Sequence, residues 1–516
     1  MAAGGGGRGG GGASARGRSD GGGAPAGAAV RAAAGEVLLL VASAPSRQRG
    51  RVLQGALRDA VRSGRLPAGT RLPSGRALAA DLGVSRGLVT EAYEQLTAEG
   101  YLRSRRGAGT WVSGASGVPG AGAGSGSGRA GEPAAAAEAR GRERAPGAAV
   151  ADFTPGTPDL SLFPRAAWSA AHRRAVAGLP HRSLGYPDPR GVPELRAELA
   201  SLLVRRRGVV ADPARVVVCS GVAQAMALLG AALYAAGRRT VALEEPGSPE
   251  HRDLLAAAGL RAVPVPLDGA GPDPVALAAS GARTAVLTPS HQFPTGTAVP
   301  PARREELLCW ARSVDGLLVE DDYDGDFRYD RAPVGALQGL DPERVAYTGS
   351  VSKSLAPGLR LGWLVVPERL LDAVVARKRL LDLGNPVLDQ VLLADLIARG
   401  EYDRQLRRCQ RAYRERRDAL AAALAAHCPG AAVTGIAAGL HAIVALPERY
   451  GPEGALLVRA RRAGLAVRPL SAYAWSGGPA SAGAPDGRVR LVLGYAHLTP
   501  ARIGRGVAVL GRLAGG

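Results

Sequence analysis

Lysine is almost absent from this chain, and the position of one lysine suggests a chemical role. The sequence holds 65 lysines and arginines together, of which only Lys353 and Lys378 are lysine. Lys353 lies between two serines in GSVSKSLAPGLR. A desolvated primary amine loses its proton and attacks a carbonyl to give an imine, whereas a guanidinium stays charged and is a poor nucleophile. Lys353 is therefore a candidate nucleophile, and a surface lysine without function is the alternative.

Hydroxyl groups and an arginine lie close to Lys353 in the sequence. Ser350, Ser352 and Arg360 follow the strand-like run RVAYTG. Arginine donates two parallel hydrogen bonds to an anion and serines add single ones, so this combination is typical of a phosphate site. A second anion site is expected where SGVAQ opens a helix, since the N–H groups and dipole of a helix N-terminus attract phosphate. Its residues are Gly221, Val222, Ala223 and Gln224, with an ordinary strand-to-helix turn as the alternative.

A third apolar run ends in acidic and phenolic side chains. LLVEDDY places Asp321 or Asp322, together with the phenol of Tyr323, at the end of a buried-type strand. A solvated acidic loop is the alternative for this segment alone. An amine, a carboxylate that keeps a ring nitrogen protonated, a phenol and a phosphate site are together what pyridoxal phosphate requires of a protein. The ordered set therefore predicts a pyridoxal-phosphate site that contains Lys353.

The elements that must position these groups alternate between strands and helices. Residues 151–516 contain the strand-like runs RVVVCSG, TVALEEPG, TAVLTPSHQ, GLLVEDDY and RVAYTGSVSK, separated by helical stretches. This order predicts an α/β domain with a mostly parallel sheet, whose ligands bind at the carboxyl ends of the strands. The candidate residues all follow such ends.

Residues 46–113 have the pattern of a winged helix-turn-helix. Three segments predict helices: RGRVLQGALRDAVRSG, SGRALAADLG and SRGLVTEAYEQLTAEG. YLRSRR and TWVS predict a two-stranded wing. In the first helix, four apolar residues are expected to lie on one face: Val52, Ala56, Ala60 and Val61. Six later residues are assigned to the core: Leu72, Leu78, Leu82, Val89, Tyr93 and Leu96.

The third predicted helix is the candidate recognition helix for double-stranded DNA. Ser85 caps it, and the first residues of such a helix reach base edges in the major groove. Arg86 can donate twice to guanine, and Thr90 follows one turn later. Contacts to phosphates and to the minor groove are predicted for Arg71, Arg76, Arg106 and Gly107. For any single arginine, a solvated surface position is the alternative.

The composition of the chain indicates its division into segments and the kinds of partner it can bind. Residues 1–45, rich in Gly, Ala and Arg, predict a disordered arm, and residues 114–150 predict a flexible linker. The net charge of +20 favours a polyanionic partner. The four cysteines lack metal-type spacing, so no metal site is expected. With no long apolar run and no signal-peptide pattern, we expect a cytoplasmic protein without a membrane partner.

Several segments resemble a known family of regulators. GYPDPRGVPELRAELASLLVRRRGV, TPSHQFPTG, VEDDYDGDFRYD and GSVSKSLAPGLRLGW are similar to the aminotransferase-like domain of MocR-type regulators, a subfamily of the GntR-type transcription factors. Residues 64–112 resemble the GntR-type winged helix. The resemblance covers about residues 50–113 and 151–500 and implies a large domain of the fold-type I pyridoxal-phosphate enzymes.

The resemblance implies a role for each matching residue. Lys353 would bond covalently to pyridoxal phosphate, Asp321 would pair with the pyridine nitrogen, and Tyr323 would bind the ring hydroxyl. Asp322 takes the place of Asp321 if the strand ends one residue later. The phosphate would be held by Ser350, Ser352, Arg360, residues 221–224 and, from a neighbouring subunit, Tyr186. The family also implies a homodimer that reads two DNA half-sites.

Three departures from the family pattern argue against an efficient transaminase and leave cofactor binding intact. Ser248 replaces an aromatic residue near the cofactor, and Phe293 replaces the asparagine of the common NPTG segment. Val492 stands where many relatives carry an arginine for the substrate carboxylate, with Arg490 two residues earlier. We therefore favour a regulator that senses a small amine or pyridoxal phosphate itself, with an active aminotransferase that carries an accessory DNA-binding domain as the alternative.

Overall fold

The structure is a computed structural model that describes residues 45, 49–62, 65–105, 109–113, 150–329, 334–475 and 487–515. The chain divides into two compact units, one of residues 1–93 and 103–114 and the other of residues 94–102 and 115–516. The predicted arm up to residue 44, the predicted linker up to residue 149, and the wing-tip residues Arg106 and Gly107 lie outside the described residues. The domain boundaries therefore stay predictions.

The elements near the amino terminus follow the order of a winged helix-turn-helix. The helices are α1 (Arg49–Arg62), α2 (Gly75–Leu82) and α3 (Arg86–Ala98), and the strands are β1 (Arg71–Leu72), β2 (Leu102–Arg105) and β3 (Gly109–Val112). The strands form one sheet in the order β1-β3-β2. Serines cap the second and third helices as predicted. Ser74 Oγ accepts a hydrogen bond from Ala77 N at 3.1 Å, and Ser85 Oγ accepts one from Leu88 N at 3.3 Å.

The buried side chains of this region agree with the predicted core except in α1. The six residues assigned to the core are all buried: Leu72, Leu78, Leu82, Val89, Tyr93 and Leu96. In α1 the buried residues are Leu53, Leu57 and Ala60. Of the four residues predicted to share a face, Ala60 is buried, and Val52, Ala56 and Val61 are partly buried. Two leucines offer more apolar area than a valine and an alanine, so the helix turns the leucine stripe inward.

Most strands of the second unit belong to one sheet. In chain order the strands are β4 (Ala151–Asp152), β5 (Val216–Cys219), β6 (Thr240–Glu245), β7 (Arg261–Asp268), β8 (Gly271–Pro272), β9 (Thr284–Leu287), β10 (Leu317–Asp321), β11 (Val345–Ser350), β12 (Gly362–Val365), β13 (Ala432–Thr434), β14 (His441–Leu446), β15 (Leu465–Ala466), β16 (Arg468–Pro469) and β17 (Val489–Gly494). An eight-stranded sheet has the order β5-β12-β11-β10-β9-β6-β7-β8. Only β12 and β8 pair antiparallel within it. The predicted α/β class with a mostly parallel sheet is confirmed.

Helices cover both faces of this sheet. They are α4 (Arg165–Gly178), α5 (Pro193–Arg207), α6 (Val222–Ala235), α7 (Pro249–Ala257), α8 (Pro274–Ala279), α9 (Pro301–Ser313), α10 (Glu368–Asp382), α11 (Val387–Ala398), α12 (Glu401–His427), α13 (Glu453–Arg462) and α14 (Pro500–Gly511). In β10, Leu317 and Val319 pack in one apolar cluster with Leu229, and Leu318 packs in another with Trp310. Because alternate strand residues face opposite sides, the central strands are buried on both.

A smaller antiparallel sheet follows the large one in sequence. Its strand order is β13-β14-β17-β16, and β15 pairs separately with β4. Its apolar face packs against α12 and α14, where Leu424, Val444, Leu491 and Val507 share one cluster. Among the described helices, none combines the length and apolar character needed to cross a membrane.

Candidate functional site

The ends of neighbouring strands bring the predicted site residues to one edge of the large sheet. Asp321, the last residue of β10, lies opposite Thr348 of β11. Ser350, the last residue of β11, lies opposite Gly362 of β12, which in turn lies opposite Cys219 at the end of β5. Three groups that are far apart in the sequence therefore share one edge, as the parallel order of the strands predicted.

Lys353 follows β11 by three residues, and its amine is partly removed from water. Its Nζ donates a hydrogen bond to the carbonyl oxygen of Gly156 at 2.6 Å. Burial lowers the pKa of this amine, and the charges of Asp324 and Asp321 act in the opposite direction. Because loss of water disfavours the ammonium form, Lys353 is neutral more often than an exposed lysine. That is the property a nucleophilic amine needs.

Asp321 is buried and hydrogen-bonded from two sides. His251 Nε2 lies 3.0 Å from its Oδ2, and Thr348 Oγ1 donates to its Oδ1 at 3.3 Å. Burial alone would lower the pKa of His251, but the hydrogen bond and charge of Asp321 outweigh burial and raise it. A protonated His251 places a positive charge and a hydrogen-bond donor beside Asp321.

Asp322 is engaged elsewhere. Strand β10 ends at Asp321, and the carboxylate of Asp322 pairs with the buried guanidinium of Arg207 at 2.6 Å. Tyr347 also donates to Asp322 Oδ2 at 2.6 Å. With these partners Asp322 is a structural ion pair, and Asp321 remains the candidate for the ring nitrogen.

Tyr323 joins a buried network of polar side chains. His291 Nδ1 lies 3.0 Å from the Tyr323 hydroxyl and 2.8 Å from Asp324 Oδ2. Burial raises the pKa of the Tyr323 phenol well above its usual range, and the charge of Asp324 adds to this effect. The phenol therefore keeps its proton and can donate a hydrogen bond.

The same network includes residue types that bind metals. Ligand atoms of His291, Asp324 and His441 lie within 4.8 Å of one another. Several of these atoms already have protein partners: His291 Nε2 lies 3.3 Å from the carbonyl oxygen of Gly435, and His441 Nε2 lies 3.0 Å from that of Pro294. Burial lowers the pKa of His441 to about 3. We assign this group to the hydrogen-bond network of Tyr323.

The predicted phosphate-binding residues lie together with Ser220 in a group that we call the anion cup: residues 220–224, Ser350, Ser352 and Arg360. Arg360 donates to the carbonyl oxygen of Ser220. Gly221 has a φ of 83°, a left-handed conformation that favours glycine, and a Cβ atom there would lie 3.0 Å from the Arg360 guanidinium. Val222 and Ala223 begin α6, where the first N–H groups have no earlier carbonyl to bond. An arginine, hydroxyls and a helix N-terminus thus converge as an anion requires.

Gln224 differs from the other predicted phosphate ligands. Its Oε1 accepts from Ser220 N at 2.7 Å, and its Nε2 donates to Asp382 Oδ2 at 2.6 Å. Its own backbone N–H donates to the carbonyl oxygen of Gly221 at 3.1 Å. The donors of Gln224 are therefore occupied within the protein, and its side chain supports the loop from behind.

The three departures from the family pattern have structural explanations. Ser248 caps α7, where its Oγ accepts from His251 N at 3.4 Å. Phe293 packs edge-on against Tyr323 and Tyr473, with ring centroids 5.9 and 5.1 Å apart. Val492 is fully buried in β17. Arg490 is partly buried and pairs in register with Ala445 of β14.

Tyr186 stands apart from the site in this single chain. Its side chain is 90% exposed, the highest exposure among the large apolar side chains of the described residues. Its predicted role in a neighbouring subunit stays a prediction.

The predicted DNA-binding residues lie on the solvent-exposed side of the winged helix. Ser85, Arg86 and Thr90 are exposed on α3, and Arg76 is exposed on α2. Arg71 is exposed in β1, with its guanidinium 5.8 Å from the centroid of the Trp111 ring. Exposed cations at the start of a recognition helix are available to bases and phosphates.

Sequence reasoning missed several residues of the site. His251 and His291 contact Asp321 and Tyr323, but neither lies in a motif that marks a single histidine as functional. Lys378, by contrast, could have been found from the sequence. It is the second of the two lysines, and the scarcity of lysine is the signal that identified Lys353.

The donor set fits pyridoxal phosphate. A desolvated amine, a buried carboxylate beside a histidine, a protonated phenol and the anion cup match the aldehyde, ring nitrogen, ring hydroxyl and phosphate of that molecule.

Comparison with protein families matches both parts of the chain. Residues 51–112 match the family described as bacterial regulatory proteins, gntR family, and residues 151–510 match aminotransferase class I and II.

Regulators and aminotransferases of known name are similar to this chain. The pyridoxine biosynthesis transcriptional regulator PdxR of Corynebacterium glutamicum is 33% identical, covering 82% of this chain and 87% of its own length. The probable rhizopine catabolism regulatory protein MocR of Rhizobium meliloti is 35% identical, covering 73% and 77%. The crystal structure of the α-aminoadipate aminotransferase LysN from Thermus thermophilus is 30% identical, with a TM-score of 0.60 over 70% of this chain and 91% of its own.

Proposed function

The chain belongs to the gntR family of bacterial regulatory proteins, in the branch with an aminotransferase class I and II domain, and from this membership we propose how its two domains cooperate. It is a transcriptional regulator, as its relatives over most of the chain are named. We propose that the large domain holds pyridoxal phosphate, and that a small amine or the cofactor itself changes the affinity of the winged helix for double-stranded DNA. The enzyme alternative is not proposed, because these relatives are regulators.

The convergence of Lys353, Asp321 and the anion cup at one sheet edge carries this proposal. When bound, pyridoxal phosphate supplies an aldehyde for amines and an electron-withdrawing ring. Lys353 supplies a neutral amine to that aldehyde, and Asp321 holds the proton of the ring nitrogen. Tyr323 donates to the ring hydroxyl, and Ser350, Ser352 and Arg360 bind the phosphate.

An effector can act only if it binds one arrangement of the protein better than another. A free amine would compete with the Lys353 amine for the aldehyde of the bound cofactor, and Lys353 would hold the segment around residue 353 only while it is bonded to that cofactor. The relative from Corynebacterium glutamicum is named for pyridoxine biosynthesis, which supports including pyridoxal phosphate itself among the effectors to test.

A homodimer is part of the proposal, and one exposed surface supports it. Tyr186 and Leu184 are 90% and 62% exposed, and Leu380 is 80% exposed on α10. The two segments are neighbours, since a Cβ atom at Gly384 would lie 2.9 Å from Pro187. Large apolar side chains clustered on a surface are typical of a protein interface. A second copy of the chain is the partner expected there.

A labelling experiment combined with DNA binding tests the proposed function. Borohydride treatment of the full chain with pyridoxal phosphate should fix the label on Lys353, located by mass spectrometry, and Lys353→Ala should abolish it. A duplex selected by the wild-type protein from a random pool should change in affinity when pyridoxal phosphate or an amine is added. In Lys353→Ala that response should disappear. The proposal is contradicted if the label is on another residue, or if neither pyridoxal phosphate nor an amine changes the affinity for DNA.

A further inference from the structure

The second lysine of the sequence is completely enclosed behind the anion cup. Lys378 lies on α10 and is 0% exposed. Its ammonium has three donors and three acceptors within reach: Asp382 Oδ2 at 2.8 Å, Asn385 Oδ1 at 2.7 Å and Gln224 Oε1 at 3.5 Å. A buried cation of this kind is costly unless it is paired and fully hydrogen-bonded, and here it is both.

Two of these acceptors connect Lys378 to the first residue of the cup. Asn385 Nδ2 donates to Ser220 Oγ at 2.9 Å, and Gln224 Oε1 accepts from Ser220 N at 2.7 Å. The backbone N–H and the hydroxyl oxygen of Ser220 are therefore both held by side chains that contact Lys378.

The ammonium determines the direction of the hydrogen bonds that reach Ser220. It can only donate, so the oxygen end of the Asn385 amide must face it. The nitrogen end then faces Ser220 and donates to its hydroxyl oxygen. Because that oxygen already accepts, the hydroxyl proton of Ser220 is free to point at an anion in the cup.

We propose that Lys378 is a positioning residue for the phosphate of the cofactor, acting through Asn385 to make Ser220 a hydrogen-bond donor. This proposal rests on the proposed function, because it assumes that the cup holds a phosphate. Under this proposal the two lysines act at opposite ends of the same ligand. Lys353 acts at the aldehyde, and Lys378 acts indirectly at the phosphate.

Asn385→Asp is the decisive variant, because it keeps the size of the side chain and adds an ion pair with Lys378. Its carboxylate can only accept, so Ser220 must turn its proton toward residue 385 and away from the anion. We expect the affinity for pyridoxal phosphate to fall about tenfold, the size of one hydrogen bond to a charged group. The affinity for pyridoxal, the aldehyde without phosphate, should not change. Both affinities follow from absorbance titrations of the full chain.

Lys378→Met should give the same selective loss, and Arg304→Met is its matched control. Arg304 is also 0% exposed but donates to the carbonyl oxygens of Val299 and Gly335 rather than to the cup. Its loss should lower stability without changing the ratio of the two affinities. If Lys378→Met does not fold, Asn385→Asp still decides the question.

The outcomes separate the two proposals. A wild-type protein that binds pyridoxal as tightly as pyridoxal phosphate contradicts the phosphate site and with it the proposed function. A wild-type preference for pyridoxal phosphate that survives unchanged in Asn385→Asp leaves the proposed function standing and overturns the role of Lys378.

Discussion

The winged helix and the interior of the large unit place positive charge in opposite environments. On the winged helix, Arg71, Arg76 and Arg86 are exposed to solvent. In the large unit, Lys378 and Arg207 are enclosed, and each has an acidic partner at less than 3 Å.

This difference follows from what each region has to bind. A DNA backbone is bound by hydrated cations that displace its counterions, so exposure is an advantage there. Lys378 and Arg207 bind protein carboxylates instead, where burial requires complete pairing, whereas Arg360 of the anion cup is exposed like the arginines of the winged helix. Mutations of cations should therefore reduce stability at the buried, paired positions of the large unit and DNA affinity in the winged helix.

The largest effect is expected from Arg207→Met. This change leaves the carboxylate of Asp322 buried without its cation, and breaking a buried pair in this way costs about 3–5 kcal/mol. Arg205→Met is the matched control on the same helix. The pair of Arg205 with Asp403 is partly exposed, so its loss should cost at most about 1 kcal/mol. Urea unfolding measures the loss of stability in both variants. Equal losses in Arg207→Met and Arg205→Met would contradict the distinction between buried and exposed cations.

Glu244 allows the effect of burying an acidic group to be tested by changing the pH. Burial raises its pKa to about 7, although Thr288 and Gln292 donate hydrogen bonds to it. Since the folded pKa lies above the unfolded one, its contribution to stability is complete at acidic pH and is lost as the pH rises through about 7. Each pKa unit corresponds to about 1.4 kcal/mol. Wild type should therefore lose stability relative to Glu244→Gln as the pH rises from the ordinary glutamate value of 4.5 to about 7, by about 3 kcal/mol in total.

The control for this pH effect is Glu343→Gln. Glu343 pairs with Arg215 at a position where its side chain is 53% exposed. Its replacement should leave the pH dependence of urea unfolding unchanged. The same pH profile for Glu244→Gln and wild type would show that Glu244 does not titrate in this range.

In the winged helix, Arg86→Ala should cost DNA affinity and leave stability unchanged. The loss of two donors to a guanine costs about 1–3 kcal/mol for a selected duplex and weakens sequence preference. Binding is compared on the selected duplex and a scrambled one at the same salt concentration. Unchanged affinity for both duplexes would exclude Arg86 as a base-reading residue.

Arg71→Ala should give the smallest and least specific effect. As a phosphate contact it should weaken binding to selected and scrambled duplexes equally and reduce the slope of log affinity against log salt by about one. Its guanidinium also lies near Trp111, so urea unfolding has to accompany the measurement. A loss confined to the selected duplex would instead mark Arg71 as a base-reading residue.

The sequence was informative wherever a feature depends on a run of residues. Continuous apolar runs bounded by turn residues predicted β5, β6, β9, β10 and β11, because strands buried on both faces need such runs. Strand β7 was missed because Pro264 and Pro266 interrupt its pattern. Strand β12 was not predicted, and its antiparallel direction depends on the chain turning back after Arg360, which no composition rule predicts.

Single side chains of the site were predictable only where the sequence made them unusual. Lys353 could be found because lysine is rare, and the acidic end of LLVEDDY narrowed the carboxylate to two candidates. The choice between Asp321 and Asp322 depends on where Arg207 lies in space, which the sequence does not give. His251 and Asn385 enter through contacts between distant segments and have no local signal.

Because lysine is scarce, proteolysis can also report whether Lys353 is modified. An endoproteinase that cuts only after lysine divides the denatured chain into residues 1–353, 354–378 and 379–516. A stable adduct on the amine of Lys353 blocks the first cut and yields a fragment of residues 1–378. The ratio of the two digestion products on a gel therefore reports how much of the protein carries a modified nucleophile.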